Sequence, residues 1–179
     1  IAFPLVFKFV PALKDRGYAF MRVAGLLGWG FIYWLLSSLG ILRNELSSLL
    51  IALGLLALLA WLVVGKRGVS DTASWLNQNL KMILIIEIIF LGAFALCAFI
   101  RSGNPEISGT EKPMELAFIN AIISSPGMPP NDPWLSGYAI SYYYFGYVIV
   151  AMLIRLSGVV SGVGFNLAIA LWFALSAVG

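Results

Sequence analysis

The feature that most constrains this chain is a succession of apolar runs close to twenty residues long, separated by short polar turns. A helix needs about 20 consecutive apolar residues to cross a hydrocarbon layer about 30 Å thick, so each such run reads as a membrane span. Composition agrees, because 61% of the 179 residues are hydrophobic and 11% are charged, with a mean hydropathy of +0.96. Soluble domains carry about 25% charged residues, and a water-soluble fold of this size could not cover so much apolar surface. The expected fold class is all-α: a polytopic helical transmembrane protein fragment of about six spans. The first and last spans are expected to be truncated, because Ile1 lies inside one apolar segment and Gly179 closes another.

The spans follow from the polar breaks. Residues 1–13 form the end of a span, and the charged turn Lys14-Asp15-Arg16-Gly17 leads into a second from about Tyr18 to Ile41. The polar connection Leu42-Arg43-Asn44-Glu45 is short, so a third span, about Leu46 to Val64, returns antiparallel. Residues 65–81 turn polar and read as a connector, with Ser70 and Asp71 offering an N-cap for a short surface helix. A fourth span, about Met82 to Ile100, stops at Arg101-Ser102-Gly103-Asn104-Pro105. The longest non-spanning stretch is 101–136, followed by a fifth span, about Gly137 to Leu156, and a sixth from about Val160. The divisions are a four-span part (1–100), a loop with a short interfacial helix (101–136) and two closing spans (137–179), all one membrane domain of a longer chain.

Lys and Arg accumulate in short cytoplasmic loops, which orients the spans. Lys14, Arg16 and Arg22 share a side with Lys66, Arg67 and Lys81, whereas loop 101–136 holds Glu106, Glu111, Glu115 and Asp132 against Arg101 and Lys112. The acidic loop is therefore expected on the extracytoplasmic face of the plasma membrane, with Arg155 back on the cytoplasmic side at the far end of the fifth span.

The formal charge is only +3, and the cations are scattered at span ends, which leaves no footprint for nucleic acid. The lone Cys97 excludes an internal disulfide. Histidine is absent, so haem or chlorophyll ligation by His is not available and chemistry must lean on carboxylates, hydroxyls and cations. No cofactor is evident, and a divalent metal would fall to Glu111 and Asp132. Membrane lipids and the remaining helices of the same chain are the expected surroundings.

Four features could carry chemistry. Glu87 lies inside the fourth span, where an ionisable group costs about 2.5–3.5 kcal/mol, so it is either a packing group or part of a proton or cation path. In the loop, Pro113 suits a first helical turn, and Met114, Ala117, Phe118, Ala121 and Ile122 recur with the spacing of one apolar face. A helix lying on the membrane surface there would hold Glu111 and Glu115 near its start, with Leu116, Ile119 and Ile123 pointing elsewhere. The stiff segment Gly127-Met128-Pro129-Pro130-Asn131-Asp132-Pro133-Trp134 could hold Asp132 and Trp134 over a cavity, or serve as a plug. Finally, the fifth span is expected to open with Tyr142, Tyr143 and Tyr144, which point around most of a helix circumference and exceed what lipid anchoring requires. Tyrosines with acids and a tryptophan suit a sugar or polar lipid head, whose C–H faces pack on rings and whose hydroxyls find partners.

The segments GTEKPMELAFINAI, PPNDPW and GYAISYYYFGY resemble the YYY family of very hydrophobic membrane proteins, named for its tyrosine triplet. The resemblance is most specific from Arg101 through Gly158 and at Phe165-Asn166-Leu167, and it implies a chain several hundred residues long without an assigned activity. In layout the chain is also similar to the C-class glycosyltransferases, polytopic enzymes that take sugars from polyprenyl-phosphate carriers. In that group an acid in the first large extracytoplasmic loop, near a surface helix, acts as base or metal ligand. Carried onto this sequence, the resemblance implies Glu111 as base with Glu106 as its substitute, Asp132 as a second carboxylate, and Arg101 as the cation facing the lipid phosphate. Trp134 and Tyr142 to Tyr144 would form the substrate mouth. The pattern departs from the group's usual aspartates by presenting glutamates. A non-catalytic subunit of a larger membrane complex and an ion- or proton-coupled transporter using Glu87 remain as alternatives.

Overall fold

The structure is a computed structural model that describes residues 1–179. It is all-helical: α1 (Phe3–Phe9), α2 (Met21–Ser38), α3 (Leu46–Gln78), α4 (Leu80–Gly103), α5 (Lys112–Ser124), α6 (Phe145–Ser157) and α7 (Ser161–Val178). Three of these, α3, α4 and α7, are long and apolar enough to cross a membrane.

The expected α2–α3 hairpin is present. Trp29 Nε1 donates to the Leu49 carbonyl at 2.8 Å, and Gly28 lies against Leu56, a pairing that requires antiparallel helices. The connector at 65–81 differs from expectation, because α3 continues through it to Gln78 and the break is a kink at Gly65, with φ 68° and ψ 173°. Glycine alone reaches that region without strain, so the chain bends where the apolar run ends. The distal half of α3 then packs on α1, with Trp75 against the rings of Phe3 and Phe7.

From there α4 leads to the opposite end of the bundle, and α7 returns beside it. Asn166, early in α7, bonds Arg101 at the end of α4, while Gly179 lies against Phe20 at the start of α2. Hydrogen bonds from Asn44 to the carbonyls of Ile122 and Ser125 join the α2–α3 turn to the segment after α5. The turn and the 104–144 segment thus share one end, here the acidic end; Lys14, Arg16, Lys66 and Arg67 occupy the other.

The expected fifth span is corrected. Residues 137–144 are not helical, and α6 has 13 residues, about 20 Å at 1.5 Å per residue, short of the hydrocarbon thickness. Both of its flanks stay at the acidic end: Tyr142 before it packs on Phe118 of α5, and Gly162 after it lies beside Ile107. Gly158, with φ 69°, caps α6 in the left-handed conformation and turns the chain directly into α7. Arg155 is therefore not on the opposite side from the acidic loop. It donates to the Asn44 carbonyl, to Asn44 Oδ1 at 2.8 Å and to the Ile123 carbonyl at 2.6 Å.

The helix in the loop also differs from a free interfacial helix. Phe118, Ile119 and Ile122 of α5 are buried, and Ile119, expected to point away, belongs to the main core with Trp29, Tyr33, Leu49 and Val148. The apolar residues around α5 exceed one stripe because two surfaces cover it, α6 beneath and the 128–140 segment above.

Candidate functional site

Helix periodicity places Glu111, Glu115, Phe118 and Ile122 within about 60° of one another around α5. The residues after α5 converge on this face. Met128-Pro129 is a cis peptide, and a short antiparallel bridge pairs Asn131 with Ala139, backed by Asp132 N–H to the Tyr138 carbonyl at 2.8 Å and Ile140 N–H to the Pro130 carbonyl at 2.9 Å. The prolines, with no N–H to give, leave these two bonds to define the register. The return strand carries the tyrosines past α5 before helix α6 begins at Phe145.

Phe118 is the centre of the resulting cluster. Trp134 meets it edge-on at 5.4 Å, Tyr142 lies over it at 5.6 Å, and Tyr147 of α6 at 5.7 Å. Tyr142 also stacks on Tyr143, with ring centroids 4.0 Å apart, and its hydroxyl donates to the Tyr143 hydroxyl at 2.7 Å. Donating that bond holds the Tyr142 proton, and the neighbouring carboxylates of Glu111 and Glu115 oppose a phenolate, so the phenol is pushed up to about 12. Tyr147 reaches Glu115 Oε1 at 3.4 Å, whereas the Glu111 carboxylate has neither an ion-pair nor a hydrogen-bond partner. Trp134 and Tyr143 stay 62% and 71% exposed, so the rings form an open platform beside two carboxylates.

The other expected site residues fall elsewhere. Asp132 Oδ1 accepts the N–H groups of Trp134 at 2.8 Å and Leu135 at 2.9 Å, so this carboxylate ties the turn that presents Trp134. Asp132 lines a groove with Asn120 and Ser124, about 140–180° around α5 from the glutamates by the same periodicity. No group of three or more His, Cys, Asp or Glu side chains comes together. Tyr144 turns away from the other two tyrosines, its hydroxyl accepting from Trp34 Nε1 at 3.0 Å. The triplet therefore divides by backbone position at a helix start, and not around a helix circumference. Arg101 binds Asn166 Oδ1 at 2.9 and 2.5 Å, with the carbonyl of exposed Glu106 at 3.4 Å.

Glu87, at the basic end, is held by Arg22 in an ion pair and accepts from the Tyr18 hydroxyl at 2.8 Å, with Arg22 lying over Phe90 at 4.2 Å. Two arrangements gave little local signal. Glu115 joins Glu111 through the legible i, i+4 spacing, but the arrival of Tyr147 on it is long-range. The buried Tyr33–Asn44–Arg155 network had no signal beyond an Asn in a polar turn and an Arg near a helix end.

No curated protein and no solved structure matches the chain. A model of an uncharacterized membrane protein family, DUF2298, matches residues 29–179, which span α5, the aromatic platform and about five-sixths of the chain. The chain belongs to that family of membrane proteins.

Proposed function

We propose that the protein is a membrane-embedded, glycosyltransferase-like enzyme that uses a polyprenyl-phosphate-linked sugar at the acidic end of the bundle, facing the outside of the plasma membrane. The observation that carries this reading is the unpartnered carboxylate of Glu111 beside the exposed Tyr142–Tyr143 pair. Stacked rings accept the C–H face of a pyranose, and phenol and carboxylate oxygens satisfy its hydroxyls. In the transfer, Glu111 takes the proton of the acceptor hydroxyl as that oxygen bonds to the anomeric carbon. The bond from that carbon to the carrier's phosphate oxygen breaks, and the phosphate leaves with the electron pair. Glu115 orients the acceptor, and Asp132 acts through the turn that sets Trp134. The excess of Lys and Arg at the other end supports the orientation, and it survives the reassignment of Arg155.

A second reading, a non-catalytic subunit of a larger membrane complex, is favoured by α4, none of whose residues is buried. The transport reading relied on Glu87 as an intramembrane acid, and its ion pair with Arg22 makes a packing role sufficient to account for it. Glu111→Gln in the full-length protein should abolish transfer from a polyprenyl-phosphate sugar at unchanged membrane abundance, and Glu87→Gln should not. Full transfer by Glu111→Gln would remove the site assignment.

A further inference from the structure

We infer that the groove between α4, α6 and α7 is a site for an anionic glycerophospholipid of the bilayer, held by its phosphate at Arg101. Two cavities make up the groove. One, of about 290 Å³, is lined by Phe94, Leu153, Ile154, Leu167, Ala168 and Leu171, and is apolar apart from Ser157 at its edge. The other, of about 280 Å³, is lined by Ala98, Arg101, Ser102, Pro105, Asn166 and Leu167. Leu167 belongs to both. On α4, Phe94, Ala98 and Arg101 follow one another at i+4 and i+3 on a single face, so the apolar cavity leads along the helix to the guanidinium.

The charge of Arg101 is uncompensated. Its acceptors, Asn166 Oδ1 and the Glu106 carbonyl, are both neutral, and the one ion pair in the chain is Arg22 with Glu87, at the other end. A guanidinium carries five donors in a fork suited to two phosphate oxygens, and the bonds that Arg101 makes use only Nε and Nη2. Asn166 is itself fixed, its Nδ2 donating to the carbonyls of Pro105 and Gly162, both at 3.0 Å, so the fork is aimed in advance of any ligand.

The occupant comes from the surrounding bilayer. Leu156, Val163 and Leu167 along the groove are 47%, 48% and 37% exposed, and Leu91, Leu96 and Phe99 of α4 are exposed as well, so the groove opens sideways into lipid. Glycerophospholipids combine a chain for the apolar cavity with a phosphate for Arg101, and a net negative charge complements the unpaired cation. This site does not depend on the transferase reading.

The test is native mass spectrometry of the full-length protein after exchange into phosphatidylglycerol, phosphatidylcholine, polyprenyl phosphate or inorganic phosphate. Wild type should retain phosphatidylglycerol at least tenfold better than phosphatidylcholine. Arg101→Gln and, independently, Leu167→Trp, which fills the junction of the cavities, should each cut that retention about tenfold. Equal retention of the two phospholipids, or unchanged phosphatidylglycerol in Leu167→Trp, would overturn the proposal. So would displacement by inorganic phosphate or by equimolar polyprenyl phosphate. If Arg101→Gln does not fold, Leu167→Trp decides alone.

Discussion

Arg155 Nη2 donates to the carbonyl of Ile123 at 2.6 Å, which fastens the C-terminal end of α6 to that of α5. The same guanidinium holds Asn44, which in turn bonds Ile122 and Ser125, so one cation organises three connections at the acidic end. Four C-terminal carbonyls of a helix lack intrahelical partners, and here a side chain from another element supplies donors.

Arg155→Met should therefore destabilise the protein by about 3 kcal/mol, because it strands acceptors in a mostly dry interior. Asn44→Ala, removing the other half of the network, should cost a similar amount, and the double variant less than the sum. Thermal unfolding in detergent measures all three. Additive losses would mean that the two residues act separately.

The short α6 makes a prediction about topology. Val160→Cys and Gly109→Cys in a Cys97→Ser background should react with an impermeant thiol reagent from the same side of sealed vesicles, and Lys66→Cys from the other. Labelling of Val160→Cys together with Lys66→Cys would restore a crossing helix over residues 137–156.

Glu87 and Arg22 should behave as a pair. Either Glu87→Gln or Arg22→Gln leaves a charge without its partner among apolar helices, whereas the double variant removes both, so it should be more stable than at least one single variant. A double-mutant cycle by thermal unfolding reads the coupling, and a coupling near zero would separate them.

The Tyr142 phenol should still be protonated at pH 11, since its titration is raised to about 12, above the ordinary value of 10.0. A raised pKa means the neutral form is favoured as pH climbs, and the leading cause is the bond donated to Tyr143. Ultraviolet phenolate titration of wild type, Tyr142→Phe and Tyr143→Phe assigns the step. Tyr143→Phe should move it downward, and an unmoved step would place its cause elsewhere.

How much of this was legible depends on the range of the signal. Helices α2, α3, α4 and α7 could be read because apolar length is itself the membrane signal. The helix at Pro113 could be read from local spacing, as could the shared face of Glu111 and Glu115. The segment 137–144 misled because its aromatic residues continue the apolar run of α6. What keeps it from helix is tertiary: the bridge of Asn131 to Ala139 and the stacking of Tyr142 on Phe118. Arg155 and Asn44 are 111 residues apart, and no local pattern joins them. The side on which Arg155 lies has no local signal for the same reason, since it depends on whether residues 137–156 cross the bundle.

On the proposed function, the Tyr142–Tyr143 platform beside Glu111 meets a sugar carried on a lipid. A photoreactive benzoylphenylalanine at position 143 of the full-length protein, illuminated in native membranes and analysed by mass spectrometry, tests it most directly. The expected product is a crosslinked adduct of polyprenyl-phosphate sugar mass that declines when Trp134 is replaced by alanine. A crosslink to a protein subunit, with no sugar-bearing lipid adduct, would contradict it.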